Sequence, residues 1–332
     1  MFPGIPAIRG DMDRGQDQED VRNMAEQDHQ GNPLPWPAFV SGFCALILLL
    51  GVWMPAARAG GEAVQMAYQK LHLNGRLVSS GAKRPARPVV LLVHGTLGHL
   101  GMEIISNLQE LLDERGMDSL AITLSLRQDS RTGMYDCATP HNHRHDGALG
   151  EIASWRDWLK RRGYETIHLL GHSRGGAQAA LFVAERQPGD IGKLVLMAPM
   201  TWNAARAAAA YEKRYGKKLS PLLQKARAAP EAMMTATDFL YCPAATVRGS
   251  SFLSYYADDP RRDTPSLLPK TALPVLVIAA AGDKVVKDLP ERVRPLADGK
   301  RVRLVVIEEA GHMFLDFALE DAADAIAGFL KG

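Results

Sequence analysis

Six short apolar runs, alternating with helix-like stretches, constrain this chain more than any other feature. They lie at 88–93 (PVVLLV), 119–126 (SLAITLSL), 166–170 (TIHLL), 193–197 (KLVLM), 274–280 (PVLVIAA) and 301–307 (RVRLVVI). Each is short and predominantly apolar, and PVVLLV is rich in β-branched residues, so each reads as a strand. The runs are continuous rather than alternating polar with apolar, the mark of strands buried on both faces of a parallel sheet. Between them, 102–115 repeats Ile104, Leu108 and Leu111/Leu112 at helical spacing and closes at Gly116, and 149–162 carries Ile152, Trp155 and Leu159 on one stripe. Further helices are predicted at 174–187, near 287–297 and at 314–330. The pattern predicts an α/β fold, a mostly parallel central sheet with helices on both faces.

The alternation stops at 200–270. This segment is Ala-rich and charged, with helical pieces at 203–214 and 220–228 and no convincing buried strand. It is too long for a loop inside a compact domain and is predicted to be a helical lid inserted into a domain spanning 60–332. Trp202, Tyr211, Tyr255 and Tyr256 would either line a pocket beneath the lid or pack its core.

Four motifs carry chemistry. Gly171-His172-Ser173-Arg174-Gly175-Gly176 follows a predicted strand and opens a predicted helix. A serine on so sharp a turn has its hydroxyl exposed, and the helix N-terminus behind it favours developing negative charge. Val93-His94-Gly95-Thr96-Leu97-Gly98 ends the first strong strand. Asp283 follows the PVLVIAA strand and His312 follows RVRLVVI. A serine hydroxyl is a poor nucleophile until a neutral imidazole takes its proton, and the imidazole needs a carboxylate to fix its tautomer. Asp288 and Asp316 are the nearest substitutes for Asp283, and Asp316 sits close to His312 along the same segment.

With these motifs in the order Ser…Asp…His, residues 62–332 resemble the α/β-hydrolase family. The resemblance implies a serine hydrolase with Ser173 as nucleophile, His312 as general base and Asp283 orienting it. It also implies an oxyanion hole built from the backbone amides of Thr96 and Arg174. The implied activity is cleavage of a small-molecule carboxylic ester, with no cofactor. A thioesterase, amidase or acyltransferase would use the same trio, and a silent hydrolase-like binding protein is the rival from another class. Serine rather than aspartate at 173 argues against dehalogenase or epoxide hydrolase chemistry, and the bulky Arg174 side chain is placed to shape the pocket.

The net charge of +2 gives no reason to expect a nucleic-acid partner, while 46% hydrophobic and 23% charged residues suit a globular domain with a sizeable core. Residues 1–37 read as a disordered polar leader. Residues 38–53 form an uncharged apolar run, and Ala57-Arg58-Ala59 has the small-x-small pattern of a signal-peptidase site, so 38–59 is predicted to be a signal peptide. No positive charge precedes the run closely, which leaves an uncleaved membrane anchor as the alternative, and either reading exports the domain. Loss of the leader removes Cys44 and leaves Cys137 and Cys242, an even pair suited to a disulfide in an oxidising compartment. In the family fold the loop bearing Cys137 and the insert bearing Cys242 meet at the same end of the sheet. Finally, His141, His143 and His145 alternate in one loop. They suggest polar loop contacts at the mouth of the site, with a metal site as the lesser reading.

Overall fold

A computed structural model describes residues 61–79 and 88–332, so the predicted leader and signal segment lie outside the described residues. In chain order the elements begin with β1 (Glu62–Tyr68), β2 (Leu71–Val78), β3 (Val89–Val93), α1 (Glu103–Glu114), β4 (Asp118–Thr123), α2 (Ala148–Arg161), β5 (Ile167–His172), α3 (Arg174–Arg186) and β6 (Ile191–Met197). The segment after β6 holds α4 (Ala204–Tyr215), α5 (Leu219–Ala228), β7 (Met233–Phe239), β8 (Cys242–Arg248), α6 (Gly249–Tyr256) and a single turn, α7 (Thr264–Leu267). The chain then closes with β9 (Val275–Ala280), a short α8 (Leu289–Val293), β10 (Val302–Ile307) and α9 (Phe317–Lys331).

Eight strands form one sheet in the order β1-β2-β4-β3-β5-β6-β9-β10. From β4 to β10 every pairing is parallel. Every residue of β3, β4, β5 and β9 is buried, which is why none of them alternates polar with apolar residues and why β3 and β9 run apolar throughout. On the flanking helices the predicted stripes face inward: Ile104, Leu108 and Leu112 of α1, and Ile152, Trp155 and Leu159 of α2, are all buried.

Two antiparallel strands, β1 and β2, were not legible as elements. They pair with each other and β2 joins the sheet antiparallel to β4. Edge position explains the weak signal: β1 has one buried residue in seven, Val64, so its pattern lacks a continuous apolar run.

The insert departs from the helical expectation. Its first part is helical as predicted, but β7 and β8 form a separate two-stranded antiparallel hairpin. Ala at three positions, with Asp238 and Pro243, weakens the intrinsic strand signal of these segments. The pairing is decided by tertiary contacts, with Met234, Phe239, Ala245 and Val247 buried. His141, from the loop after β4, bridges to Val247 in parallel; its amide donates to Thr246 O (2.8 Å) and its carbonyl accepts from Arg248 N (2.9 Å). A cysteine bridge fastens the same junction. Cys137 of that loop is bonded to Cys242 of β8, with Cα atoms 5.2 Å apart and a sequence separation of 105. In the chain-entropy description, closing so long a segment contributes up to roughly 4–5 kcal/mol. Replacing both cysteines by serine therefore lowers the urea midpoint markedly, and an unchanged midpoint would contradict this account.

Parallel strands bring their C-terminal ends to one edge, so the loops after β3, β5, β6, β9 and β10 converge there.

Candidate active site

Ser173 occupies the turn between β5 and α3 with φ 54° and ψ −120°, a conformation that side chains rarely adopt. The flanking glycines make the turn feasible. A Cβ on Gly171 would collide with the carbonyl of Gly175, and one on Gly175 would collide with the carbonyl of His94. The turn is held from outside by Ser173 N donating to Met197 O (2.9 Å) and Met200 N donating to Ser173 O (3.1 Å).

The structure brings the three residues of the expected trio together. Ser173 Oγ and His312 Nε2 are 2.9 Å apart, and His312 Nδ1 and Asp283 Oδ2 are 2.8 Å apart. Nδ1–H donates to the carboxylate, which leaves Nε2 free to accept the serine proton. Asp283 Oδ1 accepts from the amides of Val285 (2.6 Å) and Val286 (2.9 Å). Burial alone would raise the Asp283 carboxyl, but the hydrogen bonds from His312 and these two amides hold it below the usual carboxylate range. Neither alternative acid takes this place. Asp288 accepts from Thr201 Oγ1 and pairs with Arg206, and Asp316 is exposed ahead of α9.

Thr96 and Arg174 also meet. Arg174 Nε donates to Thr96 Oγ1 at 3.0 Å, tying the loop after β3 to the serine turn. As the first residue of α3, Arg174 has an amide with no acceptor one turn back in its own helix.

Several contributors went unread in the sequence. His172, inside the serine motif, is buried and bonds through Nε2 to the carbonyl of His312 at 2.9 Å, with the two rings 5.1 Å apart. Burial, then the neighbouring His312, lowers its pKa to about 3, so it donates as a neutral ring and steadies the His312 loop. Arg131 is buried and donates to the carbonyls of Leu124 (2.9 Å), Gly133 (2.6 Å) and Gly98 (2.6 Å), pinning the loops after β3 and β4 to each other. His94 completes that joint by accepting from Leu124 N at 3.0 Å. Their burial and long-range partners leave no local signal in the sequence for any of the three.

His141, His143 and His145 are buried rather than set at an open mouth. His141 Nδ1 and His143 Nε2 are 3.0 Å apart, and His143 Nδ1 shares a hydrogen bond with Tyr255 OH (2.8 Å). His141 stacks on Tyr135 and meets Phe239 edge-on, and His143 meets Tyr255 edge-on, where the loop docks on the insert. Among the described residues no group of three or more His, Cys, Asp or Glu is placed to hold a metal. Of the insert aromatics, Tyr211 packs with Tyr215, Phe252 and Tyr256 inside the insert, while Tyr255 lies beneath the Arg174 guanidinium at 5.0 Å.

Residues 90–329 match a family described as the Alpha/beta hydrolase family. The chain belongs to the alpha/beta hydrolase family. Its fold is shared with solved structures of low sequence identity. Est1E from Butyrivibrio proteoclasticus is 21% identical with a TM-score of 0.58, over 81% of this chain and 97% of that one. The esterase Pf2001 of Pyrococcus furiosus is 18% identical with a TM-score of 0.55, over 91% and 98%. A monoacylglycerol lipase of Paleococcus ferrophilus is 20% identical with a TM-score of 0.54, over 78% and 98%. Among curated proteins none matches the chain.

Proposed function

We propose that this hydrolase cleaves carboxylic esters through an acyl-enzyme on Ser173. The observation that carries the reading is the continuous path from Ser173 Oγ through His312 to Asp283, with steps of 2.9 and 2.8 Å, at a strained turn opening a helix. The Oγ proton passes to His312 Nε2 as Oγ bonds to the ester carbonyl carbon. The resulting oxyanion accepts from the amides of Thr96 and Arg174, and Asp283 stabilises the imidazolium. Collapse of the intermediate breaks the bond to the alcohol, which leaves with the Nε2 proton. Water, deprotonated by the same ring, then releases the acid. No step calls for a cofactor. Structural neighbours named as an esterase and a lipase, and Est1E with ferulic acid bound, support esters over amides or thioesters. Export belongs to the same reading, supported by the Cys137–Cys242 bridge, and the insert would act as the lid.

A fluorophosphonate probe tests this directly, since it reacts only with an activated serine. The wild-type protein should become covalently labelled and Ser173→Ala should not. Labelling that persists without Ser173, or that never occurs, would favour a non-catalytic binding protein.

A further inference from the structure

The loop after β3 lies directly against the serine turn. A Cβ on Gly95 would come within 3.3 Å of Ser173 Cβ, and Thr96 Oγ1 accepts from Arg174 Nε at 3.0 Å. Among the described residues no protein acceptor takes the Thr96 amide. The peptide that carries this amide is held by its other end. Gly95 O accepts from His94 Nδ1 at 2.8 Å and from Gly98 N at 3.3 Å. A trans peptide is planar, with its C=O and N–H pointing opposite ways. Fixing Gly95 O therefore fixes the direction of Thr96 N–H.

His94 can hold Gly95 O only as one tautomer. Its ring is buried, and Nε2 accepts from Leu124 N (3.0 Å), with Arg131 Nη2 a further donor at 3.3 Å. A nitrogen that accepts carries no proton, so the one hydrogen of the neutral ring sits on Nδ1, facing Gly95 O. Burial, then the Arg131 charge, keeps the ring pKa well below the ordinary histidine value, so the ring stays neutral. Arg131 also fastens the far side of the loop. Its Nη2 and Nη1 reach Gly98 O (2.6 Å) and Leu97 O (3.5 Å), the carbonyls of the two residues after Thr96. Leu97 needs such support, since its φ of 57° lies in the left-handed region that leucine rarely adopts. Tyr135 N holds Leu97 O as well, at 3.0 Å. Among the described residues no carboxylate comes within ion-pair distance of Arg131, and its hydrogen bonds go to the backbone of these loops.

We infer that His94 and Arg131 are positioning residues for the oxyanion hole. The Leu124 amide and the Arg131 guanidinium hold the His94 ring as its Nδ1–H tautomer, and that ring turns the Gly95–Thr96 peptide so that Thr96 N–H faces the oxyanion. The inference rests on the ester-hydrolase reading and says how one of its two donors is aimed. Both side chains are buried, so neither touches substrate. Because the oxyanion exists only along the reaction path, misdirecting the amide should slow turnover and leave substrate binding alone.

Steady-state kinetics of the full chain on an activated aryl ester test this, with rates compared where circular dichroism shows every variant native. His94→Leu should lower kcat by about tenfold or more, toward the 10²- to 10³-fold cost of losing a whole oxyanion donor, while KM stays within about threefold. Affinity for an aryl boronic acid, whose tetrahedral serine adduct mimics the intermediate, should fall in parallel. His94→Asn, whose Nδ2–H stands where Nδ1–H was, should recover most of kcat, and Arg131→Lys should lose less than Arg131→Gln. A merely structural role would lower the urea midpoint, leave kcat and boronate affinity of the folded protein unchanged and give His94→Asn no advantage over His94→Leu, and that result overturns the inference. The histidine-ring nitrogen-15 spectrum of the unsubstituted protein decides the matter if the variants fail to fold. His94 should carry its proton on Nδ1, and a proton on Nε2 overturns the inference. Turnover that the variants leave unchanged would remove the positioning role and keep the hydrolase. Absence of both turnover and probe labelling in the unsubstituted protein would remove the hydrolase reading and this role with it.

Discussion

His312→Ala lowers kcat/KM on an activated aryl ester by about 10⁴- to 10⁶-fold, the scale seen when a member of a nucleophile–base pair is removed. The expectation follows from the 2.9 Å contact between Nε2 and Ser173 Oγ, for which no other base stands in. His172 is the adjacent imidazole, but its Nε2 is committed to the His312 carbonyl. Asp283→Asn should cost about 10⁴-fold for a related reason. Oδ1 of Asp283 accepts from two amides, so an asparagine would keep its oxygen there and turn its NH₂ toward His312 Nδ1. That ring would then carry its proton on Nε2 and could not accept one from Ser173. Initial rates under subsaturating ester measure both effects, and a loss below about tenfold in either variant would remove the residue from the proposed roles.

Unfolding by mild acid is the second large expected effect. Six histidines, at 94, 141, 143, 145, 168 and 172, are buried. Burial lowers the pKa of each, to about 4 for His141 and His168 and about 3 for His172, and well below the ordinary value for the rest. Nearby positive charge adds to the shift: Arg131 acts on His94 and His143, Arg174 on His143 and His145, Arg262 on His145 and Lys193 on His168. In the unfolded chain these rings titrate near pH 6.5. As pH falls through that value, the unfolded state takes up protons that the folded state refuses. Stability is therefore full above about pH 6.5 and declines toward pH 4, by up to about 1.4 kcal/mol per pH unit for each ring. A typical domain has about 5–15 kcal/mol in total, so several rings acting together should unfold this one before pH 4. Urea midpoints measured from pH 7.5 to 4.5 should fall steadily, and a flat profile would contradict the account. Asp283 contributes at lower pH, because its carboxyl is held below the usual range and its stabilisation is lost only when it protonates.

The parallel core was readable because its central strands are buried on both faces, β3, β4, β5 and β9 along their whole length, and such burial favours short apolar runs in the sequence. The trio was readable because each member follows such a strand. The hairpin β7–β8 was not. Its residues show no clear strand pattern of their own, and β8 meets the core through a bridge to His141, which is about 100 residues away in sequence. His172 was quoted within its motif yet its task stayed hidden, since nothing near it in sequence points to the carbonyl of His312.

The sequence by itself determined the fold class and the order of the core strands along the chain, both of which follow from periodicity over a few residues, where backbone geometry alone dictates which side chains share a face. The proposed serine, histidine and aspartate came from their motifs and from the resemblance those motifs carry to the α/β-hydrolase family. Tertiary structure alone decided that the insert's hairpin docks on the His141 loop, that three alternating histidines are buried in an aromatic cluster, and that His172 holds the carbonyl of His312. These depend on contacts between residues roughly 105 to 140 apart, whose meeting is set by how whole elements pack and leaves no trace in local pattern.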